Sequence, residues 1–300
     1  MDSTDQYRAA YAETLCCNAS VQSAALARAF ATVPREHFLG PGPWTVLRPG
    51  PAGLRREVTS SAEPYHVYQD VPVVIDGARL LNNGQPSVMA SWLDALDLSL
   101  GDRAVHVGCG PGYYTAIVAE AVGPSGRVIG VEMDAELAAR ARAALAPWPQ
   151  ARVLQDDGAA SDLPVSDAIF VNAGVTHPQA RWLDCLAPGG RLVLPCTVEA
   201  GEWRQRFPRT PGVGWGRILK LIRTENEYDA SFLSECFIFH CIGARDLMVE
   251  SRLREAFGRG TWHRVRSLRR DPHSATNTCW LHGDAFCLST LEAQPQPFMM

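Results

Sequence analysis

Hydrophobic and polar positions along this chain follow helical and strand periods in turn. From Tyr7 to Thr32, Leu15, Val21, Ala25, Leu26 and Phe30 supply an apolar face and predict one or two helices. Ala104-Val-His-Val107 is a short β-rich run that meets Gly108-Cys-Gly110-Pro-Gly112. Tyr113 to Val122 then carries Ala116, Ile117, Ala119 and Val122 as a helical stripe. Arg127 to Val131 predicts a second strand, ending in Glu132, and Leu137, Ala141 and Leu145 mark a helix over 136–145. Val153-Leu154 is a short third strand, and Asp167 to Ala173 a buried fourth. Strands alternating with helices predict an α/β fold, a doubly wound, mostly parallel Rossmann-like sheet with its ligand at the carboxyl edge. Two β-rich runs follow, Arg217 to Arg223 and Phe232 to Ile242. Leu247 to Phe257 reads as a helix with Leu253 and Phe257 inward, and Asn277 to Ser289 as extended, a small α+β region at the C-terminus. Gly40 to Pro64, crowded with Gly, Pro and Ser, predicts a long irregular loop, functional or a surface excursion. Tyr65 to Ile75 reads extended, and Asp76-Gly77 as a turn.

Composition narrows the function classes. A chain of 300 residues that is 46% hydrophobic can bury one large core, or one core with an annex. A net charge of −4 argues against a nucleic-acid partner. No apolar run approaches the roughly 20 residues that span a bilayer, so no membrane partner is expected. Met1 to Thr14 lacks a basic then apolar leader, and nine cysteines without framework spacing suit reduced thiols, so a cytoplasmic protein is expected.

The glycine segment carries the first chemistry. Glycines let the backbone turn tightly and approach a ligand, and the following helix start offers unpaired N–H groups to its anionic part. An acid at the end of the next strand, Glu132, suits both ribose hydroxyls of a nucleoside. A dinucleotide site prefers G-x-G-x-x-G, whereas this chain has G-x-G-x-G followed by two tyrosines. That version resembles motif I of the class I S-adenosylmethionine (SAM) methyltransferases.

Val33-Pro-Arg-Glu-His-Phe38, Leu81-Asn-Asn-Gly84-Gln85-Pro86-Ser87 leading into a helix through Trp92, Leu93 and Leu96, Gly101-Asp102 and motif I stand in a specific order. Together they resemble the protein-L-isoaspartate O-methyltransferases, from about Val33 to Gly243. The resemblance implies SAM as cofactor and a carboxylate as methyl acceptor. Gln-Asp-Asp157-Gly158-Ala resembles the family turn whose acid and amides read the adenine edge, with Asp156 where glycine is usual. Trp182 to Leu186, Ala187-Pro-Gly-Gly and Arg191 to Leu194 resemble the helix, turn and fifth strand of these enzymes, and the two β-rich runs their closing antiparallel strand pair. The implied cofactor residues are Gly84, Gln85, Gly108, Cys109, Gly110, Gly112, Tyr113, Glu132, Met133, Asp157, Gly158 and Asn172. The implied organisation is N-terminal helices and substrate-side loop at 1–80, SAM-binding core at 81–243 and a C-terminal extension at 244–300. One position departs from the family. Where a serine normally lies beside the methyl donor and substrate carboxylate, this chain has Gly84, with Asn82, Asn83, Gln85 and Ser87 as replacement polar groups or mere helix caps. Glycine there also leaves room, about one hydroxymethyl group, for a bulkier acceptor.

Methyl transfer from a sulfonium is an in-line displacement in which positioning supplies most of the catalysis. A carboxylate acceptor is already ionised at pH 7 and needs no base. An amine or phenol would want one, and His177 is the candidate, or a loop histidine. Three functions stay open: a carboxyl O-methyltransferase for isoaspartyl or aspartyl groups of a protein or peptide; a methyltransferase for a small metabolite or a specific natural-product peptide; and a SAM-binding adaptor without turnover. Cys236, His240, Cys241, Cys279, His282 and Cys287 invite a zinc reading, but Cys236 and His240 lie roughly 13 Å apart along a strand, Cys241 faces away, and Cys279-x-x-His282 is half a site, so no metal is expected. Arg264, Arg266, Arg269 and Arg270 read as a solvated face, or as attraction for an acidic peptide.

Overall fold

The computed structural model describes residues 3–50, 53–200, 212–225 and 227–293, and these form two compact units, one within 3–156 and the other within 157–200 and 212–293.

In the first unit the expected N-terminal helices are α1 (Ser3–Asn18) and α2 (Ala24–Thr32). Ser23 starts α2 by accepting the Leu26 amide at 3.3 Å. Leu15, Leu26 and Phe30 are buried, whereas Val21 sits in the break between the helices and is only partly covered. The stretch expected to be an irregular loop instead contains a hairpin, β1 (Thr45–Gly50) with β2 (Gly53–Val58). Val46 on β1 and Trp44 before it are buried with Leu39, Val67, Val71 and Val73, apolar contacts that override the local Gly and Pro content. The segment 65–75 is not uniformly extended either: Pro64–Val67 is a 3₁₀ turn, and the chain then enters β3 (Val74–Asp76), which pairs with β4 (Leu81–Asn82).

Next come α3 (Pro86–Asp94), β5 (Arg103–Val107), α4 (Tyr113–Val122), β6 (Arg127–Glu132), α5 (Ala135–Ala144) and β7 (Ala151–Gln155). β5, β6 and β7 are parallel neighbours, with Val107 opposite Val131 and Glu132 opposite Gln155. Register thus places the glycine segment and Glu132 at the carboxyl ends of adjacent strands.

The motif at 33–38 earns its place through Arg35, which is fully buried. Its guanidinium donates to the carbonyls of Val67 (2.7 Å), Gln69 (2.9 Å) and Val71 (2.8 Å) and to Asn83 Oδ1 (3.3 Å). One side chain therefore fixes the path from Val67 to the segment that opens α3.

The second unit holds β8 (Ser166–Val171), α6 (Ala180–Asp184) and β9 (Leu186–Glu199), β9 lying parallel to β8. The expected antiparallel pair is β10 (Val213–Arg223) and β11 (Tyr228–Phe239), with β10 antiparallel to β9. After α7 (Leu247–Gly258), the C-terminal region extends this sheet: β12 (Ser267–Arg269) pairs with β11, β14 (Cys287–Ser289) with β12, and β13 (Cys279–His282) with β14. The α/β class with a parallel core and antiparallel closing strands is therefore the observed one.

Phe257 of α7, inward as expected, meets Trp215, Phe232 and Trp280 at ring distances of 5.4, 5.9 and 5.5 Å. Arg245 and Glu250, an ion pair at 2.7 Å, tie α7 to β9: Arg245 also reaches Thr197 Oγ1 (2.9 Å), and Glu250 accepts the Glu199 amide (2.7 Å). Residues 244–293 thus pack on β9, β10 and β11 within one unit. Of the arginine run, Arg264, Arg266 and Arg270 are exposed, as a solvated face requires, while Arg269 bonds both oxygens of Asp271 (2.9 and 2.6 Å) and Arg270 pairs with Asp184. Among the described residues, no helix is long and apolar enough to cross a membrane.

Candidate cofactor and acceptor site

In the first unit, Gly108, Gly110 and Gly112 all adopt left-handed φ, at 74°, 55° and 99°. The Gly108 and Cys109 amides both donate to the Val131 carbonyl at the end of β6, at 2.8 and 3.1 Å. A Cβ at Gly112 would press on Leu145 (3.2 Å) and Ala141 (3.3 Å), so this glycine lets α4 pack near α5. A Cβ at Gly110 would meet nothing within 4 Å, so this backbone borders open space. Glu132 is tied to the loop: Oε2 accepts the Gly110 amide at 2.8 Å, and Oε1 the Asp134 amide at 3.0 Å. Each carboxylate oxygen offers two lone pairs, so both retain capacity for a hydroxyl donor. Glu132 is half-buried and the neighbouring Met133 is exposed. Asp134 caps α5 through the Leu137 amide (2.9 Å) and pairs with Arg79, which also holds Asp76 at 2.7 Å. Arg79 thereby links the approach to Gly84 with the residue two after Glu132.

Two members of the expected set are core residues. Tyr113 is 1% exposed and packs against Phe30 and Phe38. The Cys109 thiol is buried, and burial first and the Glu132 charge second push its pKa up, so it stays neutral. His106, on β5, contacts Thr115 Oγ1 at 2.9 Å, and burial lowers its pKa to about 3. It is a neutral core histidine at ordinary pH.

Gly84 has φ +74°, and a Cβ there would lie 3.1 Å from both Cγ and Sδ of Met89. The room expected for a bulkier acceptor is therefore filled by a side chain of the protein itself. The oxygens of Asn82 and Asn83 are engaged as well, whereas Asn83 Nδ2 is buried without a hydrogen-bond partner among the described residues. Asn82 Oδ1 accepts the Gly84 amide (2.9 Å), and Asn83 is buried, accepting the Val73 amide (2.8 Å) as well as Arg35. Asp70, which nothing local in the sequence singles out, gathers the rest: it accepts the Ser87 amide (2.8 Å), Ser87 Oγ (2.7 Å) and Gln85 Nε2 (2.9 Å). Asp70 thus caps α3 from another segment, and Ser87 serves that cap.

In the second unit Asp157 and Gly158 form a tight turn. Asp157 Oδ1 accepts the Ala159 amide (2.9 Å), and the Gly158 carbonyl accepts Trp182 Nε1 (2.7 Å) from a fully buried indole. Gly243, with φ +85°, comes so close that a Cβ would lie 2.5 Å from Asp157 Oδ2. Asn172 directly follows β8, half-buried. His177, the candidate base, stacks on Phe286 at 5.0 Å with a 7° interplanar angle and contacts Thr176 Oγ1 at 2.9 Å. Burial lowers its pKa, with Asp246 opposing, so packing accounts for this histidine.

The sequence matches the protein-L-isoaspartate(D-aspartate) O-methyltransferase family model over residues 51–211. A protein-L-isoaspartate O-methyltransferase of Methylorubrum populi is 33% identical over 210 residues, 69% of this chain and 87% of that one. That of Ignicoccus hospitalis is 34% identical over 151 residues, 49% of this chain and 71% of the relative. Among solved structures, a protein-L-isoaspartate O-methyltransferase aligns with a TM-score of 0.63 at 22% identity, over 83% of this chain and 70% of that one. One from Plasmodium falciparum, in complex with S-adenosyl-L-homocysteine, aligns at 0.58 and 17% identity, over 78% and 97%. These structures share the fold, and the sequence match supplies the lineage: the chain belongs to the protein-L-isoaspartate O-methyltransferase family, SAM-dependent enzymes that methylate carboxyl groups.

Proposed function

We propose that the chain methylates the carboxylate of an isoaspartyl or aspartyl group in a protein or peptide. The observation that carries this reading is Glu132, held by the Gly110 amide beside the open face of the glycine loop, in a chain of this family. SAM, when bound, supplies a methyl group on a sulfonium, whose thioether is the leaving group. In the first unit, Glu132 accepts the ribose hydroxyls, Met133 flanks the base, and the loop at 108–112 with the start of α4 receives the polar tail. Gly84 and Gln85 lie on the acceptor side. In the second unit, Asp157 and Gly158 supply the acid and amides for the adenine edge, and Asn172 a polar group at the end of β8.

The protein's own part in the reaction is positioning. An ionised carboxylate attacks without losing a proton, so no base is required, and the neutral His106 and stacked His177 fit that economy. We further assign the core to 81–243, flanked by a substrate-side region at 1–80 and an extension at 244–300. A cytoplasmic location fits nine cysteines that are all free thiols.

The test is transfer of labelled methyl from SAM to an isoaspartyl peptide, followed by mild alkali. Release of the label as methanol is expected, as for a methyl ester. An alkali-stable methylated product, or SAM binding without turnover on any peptide, would overturn the reading.

A further inference from the structure

The second unit brings together four side chains with no part in methyl transfer. His273, Cys279, His282 and Cys287 each offer a ligand atom, and these atoms all lie within 4.8 Å of one another. Cys287 is buried and the other three are half-buried. All four lie beyond residue 211, where the family match ends.

We propose that they bind one structural zinc ion. The ligand chemistry is specific. Two thiolates and two imidazoles make a tetrahedral N/S site that favours zinc over the oxygen-seeking magnesium and calcium, and two thiolates balance the 2+ charge. Around zinc, such ligand atoms stand about 3.3–3.8 Å apart, so closure needs a contraction of about 1 Å. Four protein ligands leave no open position, which makes the site structural rather than catalytic.

The supporting contacts already point the ligands inward. His273 Nδ1 lies 2.8 Å from the Asp271 carbonyl oxygen, which can only accept, so Nδ1 carries the proton and Nε2 keeps its lone pair. That Nε2 is 3.6 Å from Cys279 Sγ. Cys279 Sγ also receives the Thr276 amide (3.3 Å), the kind of bond that stabilises a metal-bound thiolate. His282 Nδ1 is buried without a hydrogen-bond partner among the described residues, and a metal bond satisfies such an atom.

Tertiary structure overrules the half-site reading of the sequence for a definite reason. In a regular strand, Cys279 and His282 would face opposite ways. β13 instead carries a register shift between Cys279 and Leu281, so Trp280 and Leu281 are both buried and the flanking ligands share a face. Cross-strand pairing sets Cys287 opposite His282, and the loop after β12 returns His273. The ion would pin that loop to the hairpin, whose other face α7 holds through Arg252 on the His282 carbonyl (3.2 Å).

The experiment uses the full chain, purified without chelator. Metal analysis is expected to find about one zinc per chain, released together with two reactive thiols. Cobalt exchange should give the absorption of a tetrahedral, thiolate-ligated ion. His273→Ala and Cys279→Ser, both at half-buried positions, should weaken zinc binding beyond the roughly 10–100-fold typical of losing a supporting contact. Chelation should lower the melting temperature of the wild type and leave that of His273→Ala unchanged. Zinc-free wild type that gives no tetrahedral cobalt spectrum would overturn the proposal, as would a Cys279–Cys287 disulfide or full zinc content in both variants.

Discussion

Replacing Glu132 by alanine removes the carboxylate that closes the glycine loop. Two effects follow, and the structure separates them. The Gly110 and Asp134 amides lose their acceptors at 2.8 and 3.0 Å, but the residue is half-buried and water can replace it, so folding stability falls by about 1–2 kcal/mol. Binding suffers more. A hydroxyl donating to a carboxylate is worth about 1.5–3 kcal/mol, and losing the two ribose bonds proposed for Glu132 should remove at least about 3 kcal/mol, a weakening of roughly 150-fold. Glu132→Gln preserves the shape but keeps only one acceptor atom, so it should fall between wild type and alanine. Calorimetric titration with S-adenosylhomocysteine, at a temperature where thermal melts show each variant folded, checks this ordering. A dissociation constant for Glu132→Ala within threefold of wild type would show that the ribose is held elsewhere.

Gly84→Ser should cost about 1–2 kcal/mol of stability, because φ is +74° and Met89 must move, yet raise kcat/KM on isoaspartyl peptides about tenfold by restoring the hydroxyl; equal kcat/KM at equal folded fraction would refute the role of that position. Gly243→Ala drives a methyl against Asp157 and should weaken cofactor affinity with little change at the acceptor, measured as a rise in SAM KM at constant peptide KM; an unchanged SAM KM would count against Asp157 as a cofactor residue. Glu250→Ala leaves Arg245 without its carboxylate counter-charge and the Glu199 amide without its acceptor, and should destabilise the chain by about 3 kcal/mol in a denaturant melt. Burial alone would raise the Glu250 pKa, but the Glu199 amide and Arg245 outweigh it and the net shift is downward. A depressed folded pKa means that this contribution is present above the usual glutamate range and is lost as pH falls through the lower folded value. The stability difference between wild type and Glu250→Ala should therefore shrink on acidification below about pH 4 and stay flat from pH 6 to 8.

Some features of this protein follow from local sequence alone. The strand, glycine turn and helix over 104–122, the acid closing β6 and the α/β alternation are short-range patterns, since periodicity and turn chemistry act within a few residues. The helix over 247–258 and its inward Leu253 and Phe257 belong to the same class. Other features were decided by residues far apart in the chain. Arg35 and Asp70 gain their roles from partners 15–48 residues away, the only way their buried or half-buried charges can be satisfied. The hairpin at 45–58 was hidden by glycine and proline, because burial against Val67, Val71 and Val73 outweighs local propensity. Gln85 Nε2 and Asn83 Oδ1 looked available for an acceptor until tertiary contacts engaged them. The gathering of His273 with Cys279, His282 and Cys287 depends on a strand irregularity and a returning loop, and neither leaves a periodic trace in the sequence. Chain order sets which short-range elements form; only the folded chain determines which distant polar groups meet, because buried charges and amides must find partners wherever packing brings them.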